Sequence, residues 1–263
     1  MNHLSIIKAY IKFLFKAQSR YKIHSPFVYK YLAKVITNKK NDDKLKVINK
    51  LRSELRNDNE ILQIEDLGAG TRDQHAMKIQ RRVSEIAKRT SVPKPFAKML
   101  FRTVHHFKPR NILEFGTSLG ISSVLFSFAN ENAEVHTMEG SPEILKRAKS
   151  SFAKLGRDNI HTKCGNFDNI LEAKLKELKQ LDFVFFDGNH AKEPTIKYFE
   201  ECLKYHHEES IFVFDDIHWS EGMTEAWEYI KQHPASKVTI DFFFMGVVFF
   251  KKDLSKQDFI YRL

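Results

Sequence analysis

Three carboxylates fall at the ends of two apolar runs in the second half of the chain. LDFVFFDGNH reaches Asp187, with His190 three residues on, and SIFVFDDIHW reaches Asp215 and Asp216, with His218 just beyond. If the two runs are adjacent parallel strands, the three acids meet at the carboxyl edge of a sheet, where ligands bind in open α/β folds. Carboxylates crowded in one cleft repel one another unless a cation neutralises them, and hard oxygen donors suit Mg²⁺ or another divalent ion. The plainer alternative is that these acids cap helices or hydrogen-bond a cofactor. An unperturbed histidine titrates near neutral pH, so His190 and His218 are candidate general bases, or surface histidines.

A second constellation lies upstream. Glu114-Phe-Gly116-Thr-Ser-Leu-Gly120 follows the run NILEF and opens a helix. Glycine lets a backbone approach a ligand closely and take positive φ, and a helix start offers free N–H groups. A glycine loop alone is weak evidence. Glu139 sharpens it, because it ends the next run, where an acid can accept hydrogen bonds from both ribose hydroxyls of an adenosine. A dinucleotide is the rival ligand. Against it, the loop lacks the G-x-G-x-x-G spacing, and Glu114 would repel a pyrophosphate but could pair with an ammonium. A second glycine loop, Asp66-Leu-Gly68-Ala-Gly70, leads into the basic KIQRRVSEIAKR and SVPKP rather than to a strand ending in an acid. It reads as a turn or a loop near the site.

The elements that must position these residues alternate. NILEF, EVHTM, NIHTK, LDFVFFD and SIFVFDD read as strands, with helical stretches at 118–129, 141–155, 168–179, 194–206 and 220–232. That alternation predicts a parallel sheet covered by helices. VTIDFFFMGVVFFKK holds two apolar runs joined tightly around Met245–Gly246, a link too short for a parallel crossover, so an antiparallel hairpin is expected. Residues 3–37 read as helices. Lys8, Lys12 and Lys16 share one face of the first, with Leu4, Ile7, Ile11, Leu14 and Phe15 on another. That apolar stripe is expected to pack on the chain's own core, although a basic amphipathic helix at 3–16 also suits an anionic membrane surface. Ser25 with Pro26 marks a helix start. Residues 38–60 are expected as an exposed helix and loop, and 74–90 and 94–107 as two further helices.

Length and composition allow one large domain, or one with an N-terminal extension. Twenty-three Phe among 263 residues argue against disorder. Cys164 and Cys202 have no metal-ligand spacing and imply no disulfide framework. No apolar run is long enough to span a bilayer, and the N-terminal residues lack a secretory pattern, so a cytoplasmic protein is the default, with membrane association as the variant. The net charge of +10 is uneven: residues 1–110 hold 25 Lys+Arg against 9 Asp+Glu, and the remainder is acidic. The basic half suits an anionic substrate, nucleic acid or membrane, or is a solvated helical surface.

Taken together, residues 111–250 resemble the class I S-adenosylmethionine-dependent methyltransferases. The resemblance implies a seven-stranded, mostly parallel Rossmann-like α/β sheet of order 3-2-1-4-5-7-6, strand 7 antiparallel, with a helical N-terminal extension. It places a basic cap at 1–90 and the methyltransferase domain at 91–263. It implies S-adenosylmethionine contacts from Glu114, Gly116, Thr117, Ser118, Gly120, Ser122, Glu139, Gly140, Gly165, Asn166, Phe167 and Asp187, with Lys94, Pro95 and Phe96 as a lid. The acids at 187, 215 and 216 are similar to the metal ligands of the catechol O-methyltransferases, where the final pair is Asp-Asn. Asp216 departs from that pattern and resembles acidic pairs of sugar O-methyltransferases. The resulting expectation is O-methylation of a small hydroxylated molecule, metal-assisted, with Asp187, His190 and His218 as the catalytic set and a homodimer as a further option. Two rival readings stand. One is an RNA or DNA methyltransferase using the basic half, although FFDGNH replaces the Asn/Asp-Pro-Pro-Tyr tetrapeptide and neither cysteine follows a proline. The other is a membrane-surface protein with an inactive cofactor domain.

Overall fold

A helix starts where a side chain can satisfy its first free N–H groups, and this chain uses that device repeatedly. The computed structural model describes residues 3–37, 42–65 and 78–263. After α1 (His3–Lys16), the Ser25 hydroxyl accepts from the Val28 N–H at 3.4 Å and Pro26 takes the first helical position of α2 (Pro26–Tyr31). Leu32–Ile36 continues α2 as a π-helical turn. Next come α3 (Asp42–Arg56), β1 (Ile61–Glu65), β2 (Lys78–Arg82), α4 (Val83–Thr90) and α5 (Lys94–Phe107). The alternating region holds β3 (Asn111–Phe115), α6 (Ile121–Ala129), β4 (Glu134–Glu139), α7 (Pro142–Lys154), β5 (Ile160–Cys164), α8 (Phe167–Leu178), β6 (Leu181–Phe186), α9 (Lys192–Leu203), β7 (His206–Asp215) and α10 (Glu221–Gln232). The chain closes with β8 (Val238–Asp241), β9 (Met245–Phe249) and β10 (Gln257–Ile260).

The main sheet is ordered β10-β8-β9-β7-β6-β3-β4-β5. β3, β4 and β5 run parallel, as do β6 and β7, and β9 is antiparallel to both its neighbours. The expected order is therefore present, with one correction: the sheet has eight strands, not seven. β10 pairs in parallel with β8, and the Thr239 hydroxyl donates to Asp258 Oδ1 at 2.6 Å across that pair. A four-residue edge strand bearing Gln257 and Asp258 carries too little apolar pattern to be seen in advance.

Four further expectations are corrected. Residues 78–82 are a strand rather than helix. They pair antiparallel with β1, Ile64 opposite Ile79, and the partner strand overrides the local helical tendency. α3 is charged but not merely exposed, since Leu45, Ile48, Leu51 and Leu55 recur at helical spacing and are buried. The hairpin turns at Phe242–Phe244, not Met245–Gly246: the Asp241 carboxylate accepts from the Phe243 N–H at 2.7 Å and holds Phe243 at φ 72°. The face of α1 turned inward is also not the expected one. Phe13 is buried, and the Tyr10 and Phe13 rings pack on Phe243 at 4.8 and 5.3 Å, while Ile7, Ile11, Leu14 and Phe15 stay exposed. The glycine loop at 66–70 lies outside the described residues.

The chain forms two units, Met1–Thr37 with Leu175–Leu263, and Asn38–Lys174. The first unit is built on β6 to β10. Its core holds Phe183, Phe185, Phe199, Phe212, Phe214 and Trp227, all essentially inaccessible to solvent. The second is built on β3 to β5 and α3 to α7. Arg147 on α7 bonds Asp58 at 2.7 Å, and Lys154 bonds Glu54 at 2.8 Å, so part of the excess basic charge is spent on internal ion pairs.

Candidate functional site

In the Asn38–Lys174 unit, the apolar residues of β3 bury the strand and deliver Glu114 and Gly116 to its carboxyl end. The loop turns because Gly116 and Gly120 take φ of 89° and 80°. Gly120 has a second constraint: a Cβ there would lie 2.3 Å from the Phe152 ring. The Gly116 and Thr117 N–H groups both donate to the Met138 carbonyl at 3.0 Å, which ties the loop to the end of β4. The Thr117 and Thr137 hydroxyls meet at 2.7 Å beneath it.

Glu139 is held from both sides. Its Oε2 accepts from the Ser118 N–H at 2.9 Å and its Oε1 from the Ser141 N–H at 3.0 Å. Burial pushes its carboxyl upward, and the N–H groups of Ser141, Ser118 and Gly140 pull the other way. Each carboxylate oxygen still has a lone pair to spare, so a clamped Glu139 can accept two hydroxyls. Glu114 is fully buried. Its Oε2 accepts from the Ser123 hydroxyl, and its Oε1 has no hydrogen-bond partner. Burial pushes this carboxyl up to about 7; the hydroxyls of Ser122, Ser123 and Thr137 oppose the rise and the Glu139 charge adds to it. A buried acceptor left open costs free energy unless a ligand meets it.

Gly140 and Gly165 flank this cradle, where the Gly165 N–H donates to the Glu139 carbonyl at 2.9 Å. Asn166 caps α8, accepting from the Asp168 N–H at 2.9 Å, and the half-buried Phe167 ring stands edge-on to Phe115 at 5.6 Å. Of the expected lid, Lys94 and Pro95 are exposed and Phe96 is buried. The residue that reaches the loop is instead Thr90, whose hydroxyl lies 2.7 Å from that of Ser118. No local sequence signal marks Thr90.

The acid cluster belongs to the other unit. β6 and β7 pair in parallel with Phe186 opposite Phe214, which sets Asp187 and Asp215 side by side at the carboxyl end of both strands. Asp187 hydrogen-bonds Asp215, whose carboxyl is pushed up to about 7, first by burial and then by the Asp216 charge. Asp216 takes φ 54° and is itself raised by burial, with His190 opposing. His190 lies 3.6 Å from Asp187 Oδ1. Burial lowers its pKa, and Asp216 works in the opposite sense. Between them, Asn189 donates to the Tyr198 hydroxyl at 3.3 Å, leaving its Oδ1 buried with no partner. A reading that weighs charged side chains passes over Asn189.

His218 is differently placed. Its Nε2 lies 2.7 Å from Asp241 Oδ2 and its Nδ1 3.2 Å from the Thr224 hydroxyl. Asp241 Oδ2 also accepts from the buried Trp227 Nε1 at 3.3 Å. With both ring nitrogens engaged, His218 fastens α10 to the β8–β9 hairpin and has no free nitrogen for a substrate proton. Among the described residues, no three His, Cys, Asp or Glu side chains converge as a ready-made metal group.

Residues 113–217 match a family described as a methyltransferase domain. Over 56 residues, 21% of the chain, the sequence is 38% identical to a protein-L-isoaspartate O-methyltransferase of Methanococcus aeolicus; the match spans about a quarter, 26%, of that protein's length. The fold is similar to that of the SAH-bound Podospora anserina methyltransferase PaMTH1, with a TM-score of 0.57 and 15% identity over 96% of this chain and 97% of that one. It is also similar to an O-methyltransferase from Bacillus cereus in complex with SAH, with a TM-score of 0.55 and 18% identity over 85% and 97% of the two chains. The glycine loop, Glu139 and the acid-bearing strand ends all fall inside residues 113–217, the segment that matches the methyltransferase-domain family, and the chain shares its fold with these methyltransferases.

Proposed function

We propose that this chain transfers a methyl group from S-adenosylmethionine to a hydroxyl of a small molecule. The observation that carries the reading is the pair of acids in the cradle: Glu139 clamped by two backbone N–H groups, and Glu114 with one buried oxygen left open. These residues fit the cofactor in kind. Glu139 would hold the ribose hydroxyls, Glu114 would pair with the ammonium of the methionine end, and Phe167 with Asn166 would border the adenine. The cofactor supplies an electrophilic methyl on a sulfonium. The protein's remaining tasks are alignment and removal of the acceptor proton.

His190 would take that proton. Burial favours its neutral form, and Asp216 and Asp187 stand ready to stabilise the imidazolium once the hydroxyl proton arrives. With the cofactor bound to supply the methyl, His190 would take the proton from the acceptor hydroxyl as that oxygen is methylated. His218 is a positioning residue.

A divalent cation is the second reading, favoured by two observations: Asp215 is pushed up to about 7 beside Asp216, and the buried Asn189 Oδ1, two residues after Asp187, is left open. The donors are hard oxygens and fit Mg²⁺ in type. Asp187, Asp215 and Asp216 would hold it, and it would polarise the acceptor hydroxyl.

The test is transfer of labelled methyl from S-adenosylmethionine to a panel of hydroxylated small molecules by the full chain. His190→Gln should lose about 100-fold or more in turnover while S-adenosylmethionine binding is unchanged. Undiminished turnover would remove His190 from the role. Transfer only to amines would remove the O-methyl assignment.

A further inference from the structure

α1 has two apolar faces, and only one is used. Phe13 is 7% exposed, and Tyr10 packs on Phe243. A second stripe, Ile7, Ile11, Leu14 and Phe15, follows helical spacing and points away: the four are 53%, 48%, 36% and 86% exposed. Phe244, 42% exposed at the tip of the β8–β9 hairpin, extends this surface, its ring 6.4 Å from Tyr10. Exposed Lys8, Lys12 and Lys16 run along the other border of the stripe, and the helix carries no acidic residue.

We propose that this face of α1 seats the protein on an anionic lipid surface. The helix would lie in the plane of the interface, its Ile, Leu and Phe side chains among acyl chains and its lysines level with anionic headgroups. Among the described residues, no helix is long and apolar enough to cross a membrane, so the contact is with one leaflet. Charge selects the occupant. A second copy related by a two-fold axis would meet this helix with its own all-basic border, lysine against lysine. An anionic bilayer meets both the stripe and the lysines at once. Nothing in this inference depends on methyl transfer.

The experiment is co-sedimentation of the full chain with vesicles of phosphatidylcholine alone and of phosphatidylcholine mixed with phosphatidylglycerol. The protein should pellet with the mixed vesicles, far less with the neutral ones, and less at high salt. Ile11→Ser with Phe15→Ser should weaken partitioning about tenfold or more. Both side chains are exposed, so thermal unfolding should be unchanged. Lys8→Glu with Lys12→Glu should abolish the preference for anionic lipid. Failure of the wild type to pellet would overturn the proposal, as would an Ile11/Phe15 variant that binds like wild type. A wild-type dimer by light scattering that becomes monomeric in that variant, without vesicle binding, would assign the face to self-association instead.

Discussion

Replacing Glu114 by Gln isolates one buried carboxyl and can be read in two ways. The amide keeps an oxygen for the Ser123 hydroxyl and removes the charge. In the folded protein the carboxyl is pushed from 4.5 up to about 7. The folded state therefore holds this proton over a window where the unfolded chain has lost it. Stability from this group is fully present below pH 4.5, declines as pH rises through the window, and levels off above about 7. A gap of that size corresponds to about 3 kcal/mol. Urea unfolding of wild type and Glu114→Gln from pH 4.5 to 8.5 should show the variant gaining on the wild type with pH, by up to about 3 kcal/mol. Cofactor binding should behave in the opposite way. If Glu114 pairs with the ammonium of S-adenosylmethionine as proposed, the ammonium stabilises the ionised carboxylate, and wild-type affinity should rise with pH toward 7 and then flatten. Glu114→Gln should bind more weakly above pH 7 and lose that component of the pH dependence. A stability difference between the two proteins that does not change with pH would refute the assignment of the raised carboxyl to Glu114. Equal affinity above pH 7 would refute the ammonium pairing.

Gly120→Ala places a Cβ into the Phe152 ring at a backbone position of φ 80°, so calorimetry should show a loss of about 1–3 kcal/mol and a weakened cradle. Prolonged dialysis against chelator should cut methyl transfer if a cation joins Asp187, Asp215 and Asp216, with Mg²⁺ restoring it. Full activity in chelator would leave His190 and the acids to act alone.

Much of this arrangement is legible in the sequence because strand and loop grammar fix it locally. The strands β3 to β9 show as short branched and aromatic runs separated by helices, while their order in the sheet is what the family resemblance implies. The placement of Glu114, Gly116, Gly120 and Glu139 follows from strand ends. What sequence cannot show is which of two surfaces tertiary contacts select. α1 offers apolar residues on both Ile7/Ile11/Leu14/Phe15 and Tyr10/Phe13, and the choice is made by Phe243, more than two hundred residues away. The sequence does not show that His218 has Asp241 and Thr224 on its two nitrogens. Thr90 and Asn189 carry no charge and no motif; they matter only through what they touch or leave untouched. β2 is hidden because a basic run becomes a strand only beside its partner.

The central claim is that Glu139 and the glycine loop form a cradle for S-adenosylmethionine. Isothermal titration of the full chain with S-adenosylmethionine tests it most directly, comparing wild type with Glu139→Ala. The wild type should bind one equivalent, and the variant, losing two hydrogen bonds to a charged acceptor, should bind about 100-fold or more weakly. A wild type that takes up no S-adenosylmethionine, or a Glu139→Ala variant that binds it equally well, would contradict the account.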